Sequence, residues 1–488
     1  MGCLKPRLRS QMPISSHYLA APVHDRLGEG FFDLVLPAHF PQHTLRYRND
    51  VWAERLGLRA LTDDEWVNHF GRFAALPANF PQPLALRYHG HQFRSYNPDL
   101  GDGRGFLFAQ LKESSDGRVL DLGTKGSGQT PYSRAGDGRL TLKGGVRELL
   151  ATSLLEALGV NTSKTFSLVE TGEDLLRNDE PSPTRSAVLV RLSHSHIRIG
   201  TFQRQAFERD TERMQRLVDH VLENYFGDVW NSVANASPSA RAIAMLTETC
   251  RRVAHTGAAW MAAGFVHGVL NTDNINITGE SFDYGPYRFL PHYDPKFTAA
   301  YFDHSGLYAY GRQPETLMWN LARLAECLML VAERDELVEA LNVFPQTFEP
   351  ALGAAMCRRL NLMPQVAERD IALTSAIYQF MQATNCPFER VFFDWYGGVL
   401  SQPRAAQSPL ATHYAAPEFD DVKQHLASYD VASPKRLEHT YFATEAPCTL
   451  LIDEIEQIWS AIATNDDWQP LEEKLKSIAM MAEAFGCE

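Results

Sequence analysis

Two hydrophobic periods run along this chain, and the change between them divides it. Between residues 98 and 205 the apolar positions come in short runs. FLFAQL and VLDLGTK, joined by ESSDG, predict two strands around a turn, and KTFSLVET and SAVLVRLS predict two more. Between the two pairs lies a polar glycine loop, KGSGQTPYSRAGDGR. After it Val146, Leu149, Leu150, Leu154, Ala157 and Leu158 recur at helical spacing, and Gly159 follows as a stop. This pattern predicts a small twisted sheet carrying one helix.

Beyond residue 205 the period becomes helical. Met214, Leu217, Val218, Val221, Leu222 and Tyr225 form one apolar stripe. Ile243, Leu246, Cys250, Val253, Gly257, Trp260 and Met261 form a second, which ends at Gly264, and Leu317 to Val331 give a third long helix. Residues 1–90 are broken by Pro37, Pro41, Pro77, Pro81 and Pro83 and predict an irregular lead-in with one or two helices. SQPRAAQSPLATHYAAPE, residues 401–418, predicts a surface loop. The expected plan is α+β and two-lobed: an extension over 1–90, a sheet-rich lobe over 91–205 and a helical lobe over 206–488, with polar motifs at the junction.

Composition narrows the function classes. At 488 residues, 44% hydrophobic and 22% charged, the chain has material for a full core. A net charge of −13 argues against nonspecific binding to nucleic acid or an anionic membrane, although a local basic pocket fits inside an acidic whole. No apolar run reaches membrane-spanning length. The start, MGCLKPRLRSQMP, has no apolar core after its basic residues, so a secretory signal is not expected. Gly2 fits a myristoylation site poorly, because Pro6 stands where Ser or Thr belongs. Seven cysteines without a CxxC pair point to neither a disulfide framework nor a zinc site, and to a reducing cytoplasm. Cys487, next to last, is expected to be exposed.

The polar motifs carry the chemistry. Gly101-Asp-Gly-Arg-Gly105 stands before a strand, where backbone N–H groups can cradle phosphate oxygens. The same pattern also suits a plain hairpin turn. Lys125 ends a strand after Leu120 and Leu122, and Glu148 lies 23 residues later beside the apolar stripe of the helix. A buried lysine needs an anionic partner, and a strand lysine paired with a helix glutamate is how kinases hold phosphates. In kinases a His-Arg-Asp catalytic loop is followed by four residues and an asparagine, and then by Asp-Phe-Gly. Here His267-Gly268-Val269 is followed by four residues and Asn274, and nine residues later by Asp283-Tyr-Gly285. Asn274 and Asp283 are hard oxygen donors suited to magnesium. NINITGESF predicts two short strands that bring them together. Arg191 and Arg198, in VRLSHSHIRIG, suit a polyphosphate. His194, His196 and His267 lack metal-like spacing and read as structural.

YHGHQF, NPDLGDGRG, KGSGQTPYSRAGDGR, VRELL, SHIRIG, HGVLNTDN and FDYGPYRF together resemble selenoprotein O, a protein-kinase-like family of protein adenylyltransferases. The resemblance is firm over roughly residues 40–320. It implies a pseudokinase that binds ATP reversed relative to a kinase and transfers AMP to Ser, Thr or Tyr hydroxyls of proteins, itself included, with Mg2+ or Mn2+. It assigns nucleotide contacts to Gly101, Gly103, Arg104, Lys125, Asp137, Gly138, Arg191 and Arg198, with Glu148 as partner of Lys125. It makes Asn274 and Asp283 the metal ligands, Asp283 also facing the nucleotide, and Asp273 the base. Val269 stands where a kinase has its catalytic aspartate and cannot accept a proton, whereas Asp273 offers a carboxylate on the same loop. Some members pair a cysteine of the activation segment with one near the C-terminus; DPKFTAAYFDHS contains none, so that control is not expected here. The other readings are a kinase-type phosphotransferase and a non-catalytic ATP-binding scaffold. Protein partners are expected, a monomer is expected, and nucleic acid is not.

Overall fold

The computed structural model describes residues 12–178 and 180–487. The myristoylation and signal expectations at the extreme N-terminus therefore lie outside the described residues. The architecture is mixed α+β, with an antiparallel sheet in the N-terminal part and a helical C-terminal part.

The sheet is built from β1 (Phe32–Leu34), β2 (Thr44–Arg48), β3 (Leu84–Leu86), β6 (Leu107–Lys112), β7 (Val119–Lys125), β8 (Leu140–Thr141), β9 (Lys164–Leu175) and β10 (Thr184–Ser193). Its order is β1-β3-β6-β7-β10-β9-β2, with β8 paired to β10. A small hairpin of β4 (Gly90–Gln92) and β5 (Ser95–Asn97) stands apart. The predicted strands match β6, β7, β9 and β10. The lead-in differs from expectation: besides helices α1 (Asp50–Arg55) and α2 (Asp63–Phe70) it contributes three strands to the main sheet. Those strands are three to five residues long and separated by proline, so their period is too short to read along the chain.

The two sheet faces have separate cores. Leu120 and Leu122 of β7, with Val188, Val190 and Leu192 of β10, pack on Trp66 and Phe70 of α2. The alternate positions, Val119 and Leu189, join the core of α3 (Leu142–Ala157). Thr141 caps α3, its hydroxyl accepting from the N–H of Gly144 at 3.1 Å. Period-two alternation thus sends Lys125 to the face opposite Leu120 and Leu122, toward α3.

After β10 come α4 (Ile199–Glu208), α5 (Thr211–Tyr225), α6 (Gly227–Val233) and α7 (Pro238–Ala262). Pro238 opens α7 behind the Ser237 cap, and Gly264, at φ 61°, closes it. β11 (Phe265–Val266) pairs with β12 (Arg288–Phe289), and α8 (Gln313–Leu328) follows. The loop between β11 and β12 holds the polar motif. Its predicted strand pair over 274–282 does not form. The segment is anchored instead by single bridges, Asn276 to Arg198 and Ser281 to Thr162, and Asn276 spends its amide on the Ser195 carbonyl. Residues 401–418 are not a surface loop: short helical turns bury Ala405, Leu410, Tyr414 and Phe419, and Tyr414 donates to Asp394. No helix among the described residues is long and apolar enough to cross a membrane.

Candidate active site

β7, β10, α3 and the β11–β12 loop meet around a polar cavity of about 810 Å3. Lys125 and Arg191 share a sheet face because Lys125 pairs with Leu189 and Gly123 with Arg191 in register. Lys125 Nζ lies 2.5 Å from Glu148 Oε2 of α3 and 2.7 Å from Asp283 Oδ1. Arg191 Nη1 lies 3.3 Å from the same Asp283 oxygen and 3.7 Å from Glu148 Oε1. Arg198, at the start of α4, is buried, stacks on the Tyr88 ring at 4.3 Å and pairs with Asp102 at 3.3 Å. Three buried cations therefore line the cavity. A buried ion cluster of this kind is weak evidence for stability and better evidence for a site that takes further charge.

Burial works to raise the Asp283 carboxyl, but the charges of Lys125 and Arg191 outweigh it and hold the group well below the ordinary carboxylate range. Asp283 sits at φ 67°, an uncommon conformation for a residue other than glycine. Two of the histidines are held by hydrogen bonds within the protein. Arg191 Nε donates to His196 Nε2 at 3.1 Å, which leaves the His196 proton on Nδ1, facing Asp121 Oδ2 at 3.4 Å. His267, whose pKa is lowered by burial, has Nε2 at 3.0 Å from the carbonyl of Phe282 and so anchors the residue before Asp283.

Asp273 has a different environment. It is 9% exposed, Oδ1 has no hydrogen-bond partner, and burial pushes its pKa up to about 7 despite Arg198 nearby. The β4–β5 hairpin covers it: a Cβ on Gly90 would lie 2.8 Å from Asp273 Oδ1, and His91 N–H donates to Thr272 at 2.7 Å. An unpaired carboxylate titrating near neutrality beside a cavity is what a general base requires.

The opposite wall is the glycine cluster clamped to the polar loop. Thr130 and Ser133 hydroxyls donate to the Asp102 and Gly103 carbonyls. A Cβ on Gly101 would lie 2.3 Å from the Tyr132 ring. Gly138, at φ 69°, would place its Cβ 2.3 Å from Gly128. Gly101, Gly103, Arg104, Asp137 and Gly138 all line the cavity, Asp137 paired with Arg177 at 2.8 Å. Tyr132, Ser133, Arg134, Arg139 and Arg177 also line it and were not singled out from the sequence. The first four lie within KGSGQTPYSRAGDGR, whose density of glycine and arginine was the available signal.

Asn274 does not line this cavity. Its Nδ2 donates to the Val269 carbonyl at 3.0 Å, and the residue borders a narrow cleft with Trp260 and Leu317. Cys487 is half-buried rather than exposed, packed near Arg358, and burial raises its thiol pKa.

A divalent cation is implied by the motif. Among the described residues no cluster of three or more His, Cys, Asp or Glu could hold a metal. Mg2+ beside phosphates needs only one or two protein oxygens, however. Asp283 Oδ2 and Asn274 Oδ1 are hard donors that accept no hydrogen bond from described residues. Of the two, Asp283 faces the cavity and suits such an ion, whereas Asn274 stands in the neighbouring cleft.

Residues 16–479 match the family described as protein adenylyltransferase SelO. The chain is 44% identical over 481 residues to the protein nucleotidyltransferase YdiU of Synechocystis sp., covering 94% of this chain and 97% of that one. It is 42% identical to the YdiU of Trichodesmium erythraeum over the same shares. Against the YdiU of Vibrio cholerae the match is 39% over 333 residues, 67% of this chain and 65% of the relative. With its motifs carried on a sheet, a helix and a loop that converge on one cavity, the chain belongs to the SelO family of protein adenylyltransferases.

Proposed function

We propose that the cavity binds ATP with its triphosphate against Lys125, Arg191 and Arg198, and that the chain moves AMP to a Ser, Thr or Tyr hydroxyl of a protein. Asp273 takes the hydroxyl proton. The freed oxygen forms a bond to the α-phosphorus, the bond from that phosphorus to the bridging oxygen breaks, and pyrophosphate leaves. Lys125, Arg191 and Arg198 stabilise the charge that collects on the leaving group, and they are pre-set by Glu148, Asp283 and Asp102. Asn274 and Asp283 would hold Mg2+ or Mn2+, which supplies further neutralisation of phosphate charge. Gly101, Gly103, Arg104, Asp137 and Gly138 form the wall along which the nucleotide lies.

This reading treats the chain as a two-lobed, protein-kinase-like fold. Residues 91–205 are the nucleotide lobe, 206–488 the helical lobe, and 1–90 an extension whose strands complete the sheet. It places the reaction in the cytoplasm, on the cysteine pattern, and takes the acting unit to be a monomer. The single observation that carries it is the buried, unpartnered Asp273 Oδ1 beside a cavity lined by three buried cations. The test is incubation with a protein acceptor, Mg2+ or Mn2+, and ATP labelled on either the α- or the γ-phosphate. Label from the α-position is expected on the acceptor and on the enzyme. Label from the γ-position alone would make the chain a phosphotransferase, and label from neither a scaffold.

A further inference from the structure

A second cavity, of about 690 Å3, opens beside the segment 294–306. Arg288, Lys296 and Arg312 line it. Among the described residues neither Arg288 nor Lys296 has an acidic partner within 4.0 Å; Arg288 donates to the Tyr287 carbonyl at 2.9 Å. Arg312 shares the exposed Glu315 at 3.4 Å. The one carboxylate in the lining, Asp303, is spent on its own turn, accepting from the N–H groups of Leu307 and Tyr308 at 2.9 and 2.8 Å. In a chain of net charge −13, this is a local excess of unpaired positive charge.

The rim of that cavity is aromatic and continuous with the catalytic loop. Tyr301, which lines it, is 80% exposed and meets the Phe302 ring at 5.1 Å. Phe302 meets Phe93 at 5.8 Å, and Phe93 meets Tyr308 at 4.9 Å. Tyr308 donates to Asn271 Oδ1 at 2.6 Å, and the Phe93 N–H donates to the same oxygen at 3.1 Å, two residues from Asp273. Phe93 and Arg94 form the two-residue tip of the β4–β5 hairpin, at φ 49° and 64°. Asn-Gly would take that turn without strain. Strain kept to present a half-exposed phenylalanine and an arginine beside a reactive loop points to a binding role.

We infer that this surface docks the acceptor protein, and that it selects an extended segment whose hydroxyl residue is flanked by an aromatic side chain and by Asp or Glu. The aromatic neighbour lies on Phe93, Phe302 and Tyr301, and the acidic one enters the cavity toward Arg288, Lys296 and Arg312. The inference rests on the AMP transfer to protein proposed above but concerns recognition, so binding is measured apart from chemistry.

The probe is a fluorescent peptide with a central serine flanked by phenylalanine and two glutamates, compared with the same peptide carrying lysines for the glutamates. Anisotropy is read with the full chain and no ATP. The acidic peptide is expected to bind about fivefold to tenfold more tightly. Lys296→Glu and Phe302→Ala should each remove most of that preference while leaving the affinity for a fluorescent ATP analogue unchanged. Both positions are exposed, and Arg312→Gln is a third variant should either disturb the fold. Equal binding of the two peptides, or an undiminished preference in all three variants, overturns the inference. So does inorganic pyrophosphate displacing the acidic peptide at micromolar concentration, which would assign the cavity to a phosphate group. Absence of AMP transfer alongside acidic-peptide binding would sink the proposed reaction and leave this inference standing.

Discussion

Asp273→Asn separates the base from every other group in the site. The side chain keeps its shape and loses its charge. Burial moves the Asp273 carboxyl from 3.8 to about 7, a change worth roughly 4 kcal/mol between its two protonation states. The sign follows from proton counting. Between these two values the folded chain keeps a proton that the unfolded chain has released, so stability falls as pH rises through the window and levels off above about 7. The asparagine variant lacks this slope. Its advantage over the parent should therefore grow by roughly 3 kcal/mol between pH 5 and pH 8. For one-step unfolding of a 488-residue chain, an entropy of about 2.1 cal/mol/K per residue turns that into about 3 °C in Tm. Scanning calorimetry at the two pH values measures it, and other carboxylates cancel in the comparison. Activity should move the opposite way. Parent kcat/KM should climb as Asp273 ionises and flatten above about pH 7, whereas the variant should lie about 10²–10⁴-fold below that plateau and show no such inflection. A Tm gap that is the same at pH 5 and pH 8, or a parent profile without an inflection near 7, would refute the assignment of Asp273 as a buried base.

Asp283→Asn should abolish AMP transfer and also remove the Mn2+-dependent rise in Tm expected of the parent with ATP present, while the circular dichroism spectrum stays that of the parent; an intact metal-dependent shift would clear Asp283 of the ligand role. Glu148→Gln leaves Lys125 with Asp283 as its one carboxylate among the described residues, so titration of a fluorescent ATP analogue should show about tenfold weaker binding, and unchanged affinity would mean that the pair does not orient the phosphate lysine. Gly138→Ala forces a Cβ to within 2.3 Å of Gly128 at φ 69°, so nucleotide affinity should fall in the same titration with α3 and the helical core undisturbed by hydrogen exchange; normal affinity would show that this loop stands clear of the nucleotide.

The amino-acid sequence by itself determined β6, β7, β9, β10, α3, α5, α7 and α8, because each has a period long enough to mark a buried face. It also determined the family, through motifs kept in order from YHGHQF to FDYGPYRF, and the pairing of Lys125 with Glu148, because a strand-end lysine on a buried face has to meet a carboxylate. Tertiary structure decided the rest. The strands at 32–34, 44–48 and 84–86 exist because the sheet offers them edges to pair with, and three to five residues carry no period of their own. Residues 401–418 read as a loop because their composition is polar and proline-rich, yet Asp394 and an aromatic cluster fix them inside. The reactivity of Asp273 is also not a local property. Gly90, 183 positions earlier, closes over the carboxylate and keeps water from it, and only a folded chain can set a pKa by desolvation.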